Sequence, residues 1–266
     1  LFSRYDNTRS IPCVIDGFKP SQRKVLFGAF KRKLTSEIKV IQFSGYVSEH
    51  SAYHHGEQSL NGTIISMAQD FVGSNNVNLL VPSGQFGSRL LGGKDAASPR
   101  YIYTYLSPVT RKIFKEEDDA LCHYLVDEGQ SIEPDFYLPI LPMVLVNGSE
   151  GIGTGYSTSI PNYNPVDIYK KANGYLIRGR ITALDRLTYV ITELPVGKWT
   201  QDYKKFLTEL MMPEKKAPMI ADFKENHTDT TVHFTVILNE EQAKALEGQD
   251  IYKFFKLETT ITTTNF

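Results

Sequence analysis

The segment EQSLNGTIISMAQDFV, residues 57–72, decides how the fold is read, because its apolar residues recur at helical spacing. Leu60, Ile64, Ile65 and Met67 form one stripe, while Gln58, Ser59, Asn61, Thr63 and Gln69 form a polar, uncharged face. A helix from about Glu57 to Val72 with such a face suits the major groove of a duplex, with nearby cations on the phosphates. Working outward, Pro20 stands at the start of a helix over Ser21–Leu34. Val25, Leu26, Phe27, Ala29 and Phe30 point inward there, and Arg23, Lys24, Lys31, Arg32 and Lys33 occupy the other side. Residues 38–49 form a shorter amphipathic helix through Val40, Ile41, Phe43 and Val47. On the other flank Val77–Pro82 reads as a strand, and Tyr101–Leu106 as helix or strand beyond a glycine-rich loop. Three short helices followed by extended segments predict a winged helix-turn-helix, although the helix pattern alone fits a plain helical bundle equally well.

That loop, Gly92-Gly93-Lys94-Asp95-Ala96-Ala97-Ser98-Pro99, delivers Arg100-Tyr101. Glycine permits backbone shapes closed to other residues, and Pro99 stiffens the approach. A phenol is a weak nucleophile, with a pKa near 10. A neighbouring guanidinium favours the phenolate and binds phosphate, so an Arg-Tyr pair suits covalent attack on a phosphodiester. An ordinary surface tyrosine is the plainer reading, since the chain holds 15 of them.

Charge is unevenly spread. Through Lys112 there are 14 cations against 7 anions, a net +7; the remainder holds 15 and 23, a net −8. The basic first part points to a polyanionic partner. With 266 residues, one large domain or two ordinary ones are expected. No apolar run approaches membrane-spanning length, and the polar start Leu1–Asp6 lacks a secretory h-region. Cys13 and Cys122 fit no zinc spacing, so a reduced intracellular setting is expected.

Residues 1–16 read as the end of a helix and a turn, and 144–148 as a buried strand and turn. Gly151-Ile152-Gly153-Thr154-Gly155 lacks the third glycine of a dinucleotide fingerprint and the lysine of a P-loop, so it reads as a tight turn. Beyond Ile181, strands at 189–194 and 231–238 and helices at 199–211 and 240–246 indicate a mixed second domain. The threonine-rich tail 258–266 is expected to be poorly ordered.

Five runs then carry a resemblance. SIPCVIDGFKPSQRKVLFGAF (10–30), YHHGEQSLNGTIISMAQDFVGSNN (53–76), GQFGSRLLGGKDAASPRYIYT (84–104), EPDFYLPILPMVLVNGSEGIGTGYSTSIPNYNP (133–165) and ITELPVGKWT (191–200) resemble eukaryotic-type DNA topoisomerase II, in the family's order. The resemblance implies an α+β chain from the breakage–reunion core. A CAP-like winged helix-turn-helix domain (1–150) would be followed by an α/β tower, or shoulder, domain (151–266). It departs from the family after Pro165-Val166-Asp167-Ile168-Tyr169: only Lys170–Arg180 bridge to Ile181, where several tens of residues are usual, so the connection near 170–185 is shortened or lacks a loop.

By the same resemblance, Tyr101 is the nucleophile of a reversible double-strand break through a 5′-phosphotyrosine, with Arg100, Arg23 and His55 as further catalytic groups. His54, Ile160, Lys19, Lys24, Lys94, Gln58 and Ser59 are expected on DNA, Ile160 as a wedge between base pairs, and Gln85 at a cleavage-poison contact. The implied partners are double-stranded DNA, a second copy of the enzyme and its Toprim module. Mg²⁺ is expected on that Toprim module and ATP on an ATPase module, with no metal or cofactor site in these 266 residues, no membrane, and a nuclear location. A non-catalytic architectural winged-helix protein explains the basic half but neither the Arg-Tyr loop nor the Ile-Pro wedge. A tyrosine recombinase or rolling-circle nickase would need a 3′ linkage or a histidine metal cluster.

Overall fold

The computed structural model describes residues 2–164, 175–213 and 217–261. In chain order, α1 (Phe2–Ser10), α2 (Pro20–Lys31), β1 (Ile38–Lys39), α3 (Val40–His50), α4 (Glu57–Ala68), β2 (Leu80–Ser83) and β3 (Tyr103–Leu106) make the first unit's heart. Pro20 sits at the first position of α2, where its missing N–H costs nothing. Val25, Leu26 and Ala29 then bury completely, against Val40, Phe43 and Val47 of α3 and Leu60 and Ile64 of α4. Gly28 lets α2 and α3 cross closely: a Cβ there would stand 2.7 Å from Val47 Cγ2. The strands form an antiparallel sheet of order β1-β3-β2, in which Tyr103 faces Lys39 on one side and Ser83 on the other. Three helices, a small sheet and a long β2–β3 loop make a winged helix-turn-helix, so the plain bundle is set aside.

The unit continues through α5 (Thr110–Ile113), a 3₁₀ turn (Glu116–Leu121), β4 (Tyr124–Asp127), β5 (Gln130–Pro134), α6 (Met143–Val146), β6 (Ser149–Gly153) and β7 (Tyr156–Ile160). Strands β4 and β5 form one hairpin, β6 and β7 another. The second hairpin lies on α1, where the glycine positions allow close approach: a Cβ at Gly151 would meet Ser10 O at 2.6 Å.

Next come β8 (Tyr175–Arg178), β9 (Arg180–Ala183), β10 (Thr188–Glu193), α7 (Thr200–Met211), β11 (Asp222–Glu225), β12 (Phe234–Ile237), α8 (Glu240–Leu246), α9 (Ile251–Phe254) and β13 (Glu258–Ile261). An antiparallel sheet of order β11-β12-β10-β9 packs its apolar face, including Ile191, Phe234 and Val236, on Tyr203 and Leu207 of α7. The Tyr203 hydroxyl donates to Phe255 O at 2.7 Å, and burial raises its pKa well above the usual phenol range. Buried apolar side chains thus form two clusters, one from Phe18 to Val146 and one from Ile181 to Leu257.

Several expectations need correction. Ile38–Lys39 is a strand edge rather than the start of α3, and α4 ends at Ala68 instead of Val72. Residues 143–146 are a helical turn, not a strand. The Gly151–Gly155 run does hold the expected tight turn, at Thr154-Gly155 between β6 and β7, beside the close-approaching backbone of Ser10. Glu258–Ile261 is ordered, paired with Tyr175–Arg178. The departure from the family near 170–185 is left open, for residues 165–174 lie outside the described residues.

Candidate active site

Tyr101 stands on a turn at the end of the β2–β3 loop, immediately before the buried Ile102, and its side chain is 72% exposed. Its amide donates to Ser98 O at 2.9 Å, and Pro99 O accepts from Ile41 N at 3.2 Å, fixing the turn to the start of α3. Exposure followed by burial at successive residues pins the backbone while leaving the phenol free. Arg100 is also exposed and lines a cavity of about 650 Å³ between the loop and α4. Gln58, Asn61, Gly62 and Ile65 of α4, Ile41 of α3 and residues 96–100 form its walls. Gln58, on the polar face of α4, therefore shares this cavity with the Arg-Tyr loop.

The loop is held from within. Ser88 donates to Asp95 twice, from its amide at 2.9 Å and from its hydroxyl at 2.6 Å. Burial alone would raise the Asp95 pKa, but these bonds outweigh it and hold the carboxyl below the usual carboxylate range. Gln69 Nε2 donates to Phe86 O at 2.8 Å, and Ala97 N to Gln85 O at 2.9 Å. Lys94 and Gln85 are exposed on this loop; Gln85 Oε1 accepts from Gly87 N at 3.2 Å. Gln85 is not among the cavity-lining residues, whereas Gln58 is.

His54 and His55 lie just before α4, both exposed. His54 Nε2 is 3.6 Å from Asp127, and His55 Nε2 is 3.5 Å from the Tyr5 hydroxyl. Ser59 is exposed and its hydroxyl accepts from Tyr53 at 3.1 Å. Lys19 caps the start of α2 through its backbone and is half-buried. Ile160 ends β7 opposite Ser149, half-buried.

Two cations depart from their expected place on the outer side of α2. Arg23 is 6% exposed and paired with Asp16 through Nε at 2.8 Å and Nη2 at 3.1 Å. Burial works against its charge, but the Asp16 hydrogen bond and charge prevail, and its pKa is raised. Lys24 Nζ reaches the buried Glu133 at 2.9 Å and also donates to Ser51 O. Asn61, expected on the exposed face, is buried, and its Oδ1 has no hydrogen-bond partner among the described residues. Spacing could have found it, for Asn61 lies three residues before Ile64 on the inward stripe. Among the described residues no three His, Cys, Asp or Glu side chains converge in a way that could hold a metal ion. No described helix is long and apolar enough to cross a membrane.

Comparisons with known proteins agree along the whole chain. The family model for the A-subunit of DNA gyrase/topoisomerase IV matches residues 9–181 and 167–266, two segments that overlap at 167–181. The chain is 54% identical to DNA topoisomerase 2 top-2 of Caenorhabditis elegans, covering 99% of this chain and 19% of that protein. It is 50% identical to human DNA topoisomerase 2-beta, over 98% of this chain and 18% of that one. A solved structure, the Plasmodium falciparum topoisomerase II DNA-binding, cleavage and re-ligation domain, superposes with a TM-score of 0.94 at 50% identity, covering 98% of this chain and 40% of that one. The chain thus spans about a fifth of the length of the two topoisomerase 2 relatives.

Proposed function

The chain belongs to the DNA gyrase/topoisomerase IV A-subunit family, and from that premise we propose that it is the DNA-binding and cleavage part of an ATP-dependent type II DNA topoisomerase. The observation that carries the reading is the exposed Tyr101 on its pinned turn, beside Arg100 at the cavity that α4 shares with the loop. The Tyr101 phenolate oxygen attacks a DNA phosphorus, and the P–O3′ bond breaks. Its electron pair leaves on the 3′ oxygen, which takes up a proton, and the 5′ phosphate stays on the tyrosine as a diester. Return attack by the 3′-hydroxyl reseals the strand without net loss of a phosphodiester. Arg100 is assigned to the charge on the pentavalent phosphorus, and His55 as a further catalytic group. Arg23 reaches the phosphate only if its Asp16 pair opens, and Lys24 only by leaving Glu133.

DNA contacts are assigned to Gln58, Ser59, His54, Lys19 and Lys94 around α4 and the wing, with Ile160 as the wedge and Gln85 as a poison contact. Unstacking a base step costs a few kcal/mol, offset by contacts along the bent duplex. Residues 1–150 are assigned to the winged-helix domain and 151–266 to the tower, the β6–β7 hairpin bridging the line between them. Mg²⁺ is assigned to a Toprim module and ATP to an ATPase module of the parent enzyme. That enzyme is proposed as a nuclear homodimer in which paired tyrosines open a gate for a second duplex.

The test uses the full-length enzyme, end-labelled duplex and Mg²⁺, quenched with detergent. A 5′ adduct on Tyr101, lost in Tyr101→Phe while DNA affinity persists, is expected. Binding with no adduct on any tyrosine would favour an architectural role instead.

A further inference from the structure

We infer that Trp199 is a positioning residue for Tyr101: it docks the second unit onto the loop that presents the tyrosine, and so sets where the phenol stands. This rests on the cleavage function proposed above. The chain's single tryptophan precedes α7, and its indole lies between two glycines of the first unit. A Cβ at Gly73 would stand 2.9 Å from Cζ3 and 3.0 Å from Cη2; one at Gly92 would overlap Cε2 and Nε1 at the other end of the ring system. Phe71 meets the indole edge-on, with centroids 6.0 Å apart and planes at 77°. Any side chain at either glycine would have to displace the ring.

Polar contacts lock the same joint. The amides of Thr200 and Gln201, which begin α7 and have no partner within it, donate to Arg89 O at 3.4 Å and Leu90 O at 3.2 Å. The buried Arg89 side chain pairs with Glu193 at the end of β10. From Gly92 the path to the tyrosine is short and hydrogen-bonded. Gly93 N donates to Ser88 O at 2.9 Å, Ala96 N to Gly93 O at 3.3 Å and Ala97 N to Gln85 O at 2.9 Å. A Cβ at Gly87 would meet Gly93 Cα at 2.5 Å, so the two limbs of the loop are in backbone contact. The loop has little internal slack, and a shift at Gly92 carries to Pro99 and Tyr101. In-line attack tolerates little displacement: a misplacement of about 1 Å costs on the order of a hundredfold in rate. Gln58 and Ser59 of α4, His54 and Lys19 are not part of this joint, and only Lys94 among the assigned DNA contacts rides on the loop, so chemistry is expected to suffer far more than affinity.

The experiment compares wild type, Trp199→Leu and Trp199→Phe in the full-length enzyme with Mg²⁺. Single-turnover formation of the Tyr101 adduct and DNA affinity are measured side by side. Trp199→Leu is expected to slow adduct formation roughly 10- to 100-fold with a much smaller loss of affinity. Trp199→Phe is expected to recover part of the rate, because a ring still meets Phe71. A wild-type rate in Trp199→Leu, or equal losses of rate and affinity, overturns the inference. If Trp199→Leu does not fold, Gly73→Ala crowds the ring from the side away from the loop. The same selective loss of rate is then expected, and a wild-type rate overturns the inference. Absence of any adduct in the wild type is a different result, and refutes the cleavage function rather than the role of Trp199.

Discussion

Asp16 has no exposed surface, yet its carboxylate accepts from Phe18 N and Tyr137 N, each at 3.0 Å, and from two nitrogens of Arg23. Removing one partner of such a pair strands the other charge in the interior, so Asp16→Asn is expected to cost about 3–5 kcal/mol of stability. Urea unfolding of the variant checks this; a loss below about 1 kcal/mol would place the pair among weak surface bridges. The sequence held the clue, since Arg23 lies three and four residues before the inward Leu26 and Phe27. Its charge hid what its spacing showed. Asp95 makes a second prediction. Its folded pKa is depressed, so its stabilisation of the loop is complete above the ordinary carboxylate value, about 3.9. That stabilisation fades as pH falls through the lower folded value. An NMR titration should place its midpoint below the ordinary one, and Ser88→Ala, which removes the hydroxyl donor but keeps the amide, should move it upward; an unmoved midpoint would exclude the Ser88 hydroxyl as a cause. For Tyr101, by contrast, glycine, proline and arginine marked a loop but left an ordinary surface tyrosine as the plainer reading, and only the family resemblance singled it out.

Helices α2, α3 and α4 were readable because each repeats its apolar positions over several turns, and the structure adds how closely they cross. At Gly28 an alanine would gain about 0.5–1 kcal/mol of helix propensity. Against that, its methyl would press on the stiff Val47, 2.7 Å away. Overpacking of this kind costs about 1–3 kcal/mol, so Gly28→Ala is expected to destabilise. Adding Val47→Ala should remove part of that penalty, and a double-mutant cycle showing purely additive losses would rule out the contact. The elements that sequence reading missed share a different physics. β1 has two residues and α6 four, too few to display a period. Strand β13 finds its partner β8 some eighty residues earlier, Glu258 opposite Arg178, so nothing local in the threonine-rich tail marks it as ordered.

At the scale of the molecule, the two buried clusters match the change in character that composition showed near Ile181. The join between them was illegible, because it depends on one indole meeting two glycines distant in sequence. The exposure of the expected site residues was legible in part, for His54, His55, Gln58 and Ser59 lie exposed on and just before α4 while Arg23 and Lys24 are turned inward. That inward turn has a consequence for the ion atmosphere of a bound duplex. Each free cation that meets a phosphate releases condensed counterions, and the logarithm of affinity then falls against the logarithm of salt by about 0.9 per contact. A cation already neutralised by a carboxylate of its own protein releases none. Lys24, held by Glu133 at 2.9 Å, should contribute nothing to that slope, whereas the exposed Lys94 should contribute one full step. Affinity titrations across a salt series would show it: Lys94→Gln should flatten the line by about 0.9, and Lys24→Gln should leave it parallel to the wild type. A flattened line for Lys24→Gln would mean that the lysine leaves Glu133 when the duplex arrives. Part of the first half's formal positive charge is thus spent inside the protein and is invisible to the polyanion outside.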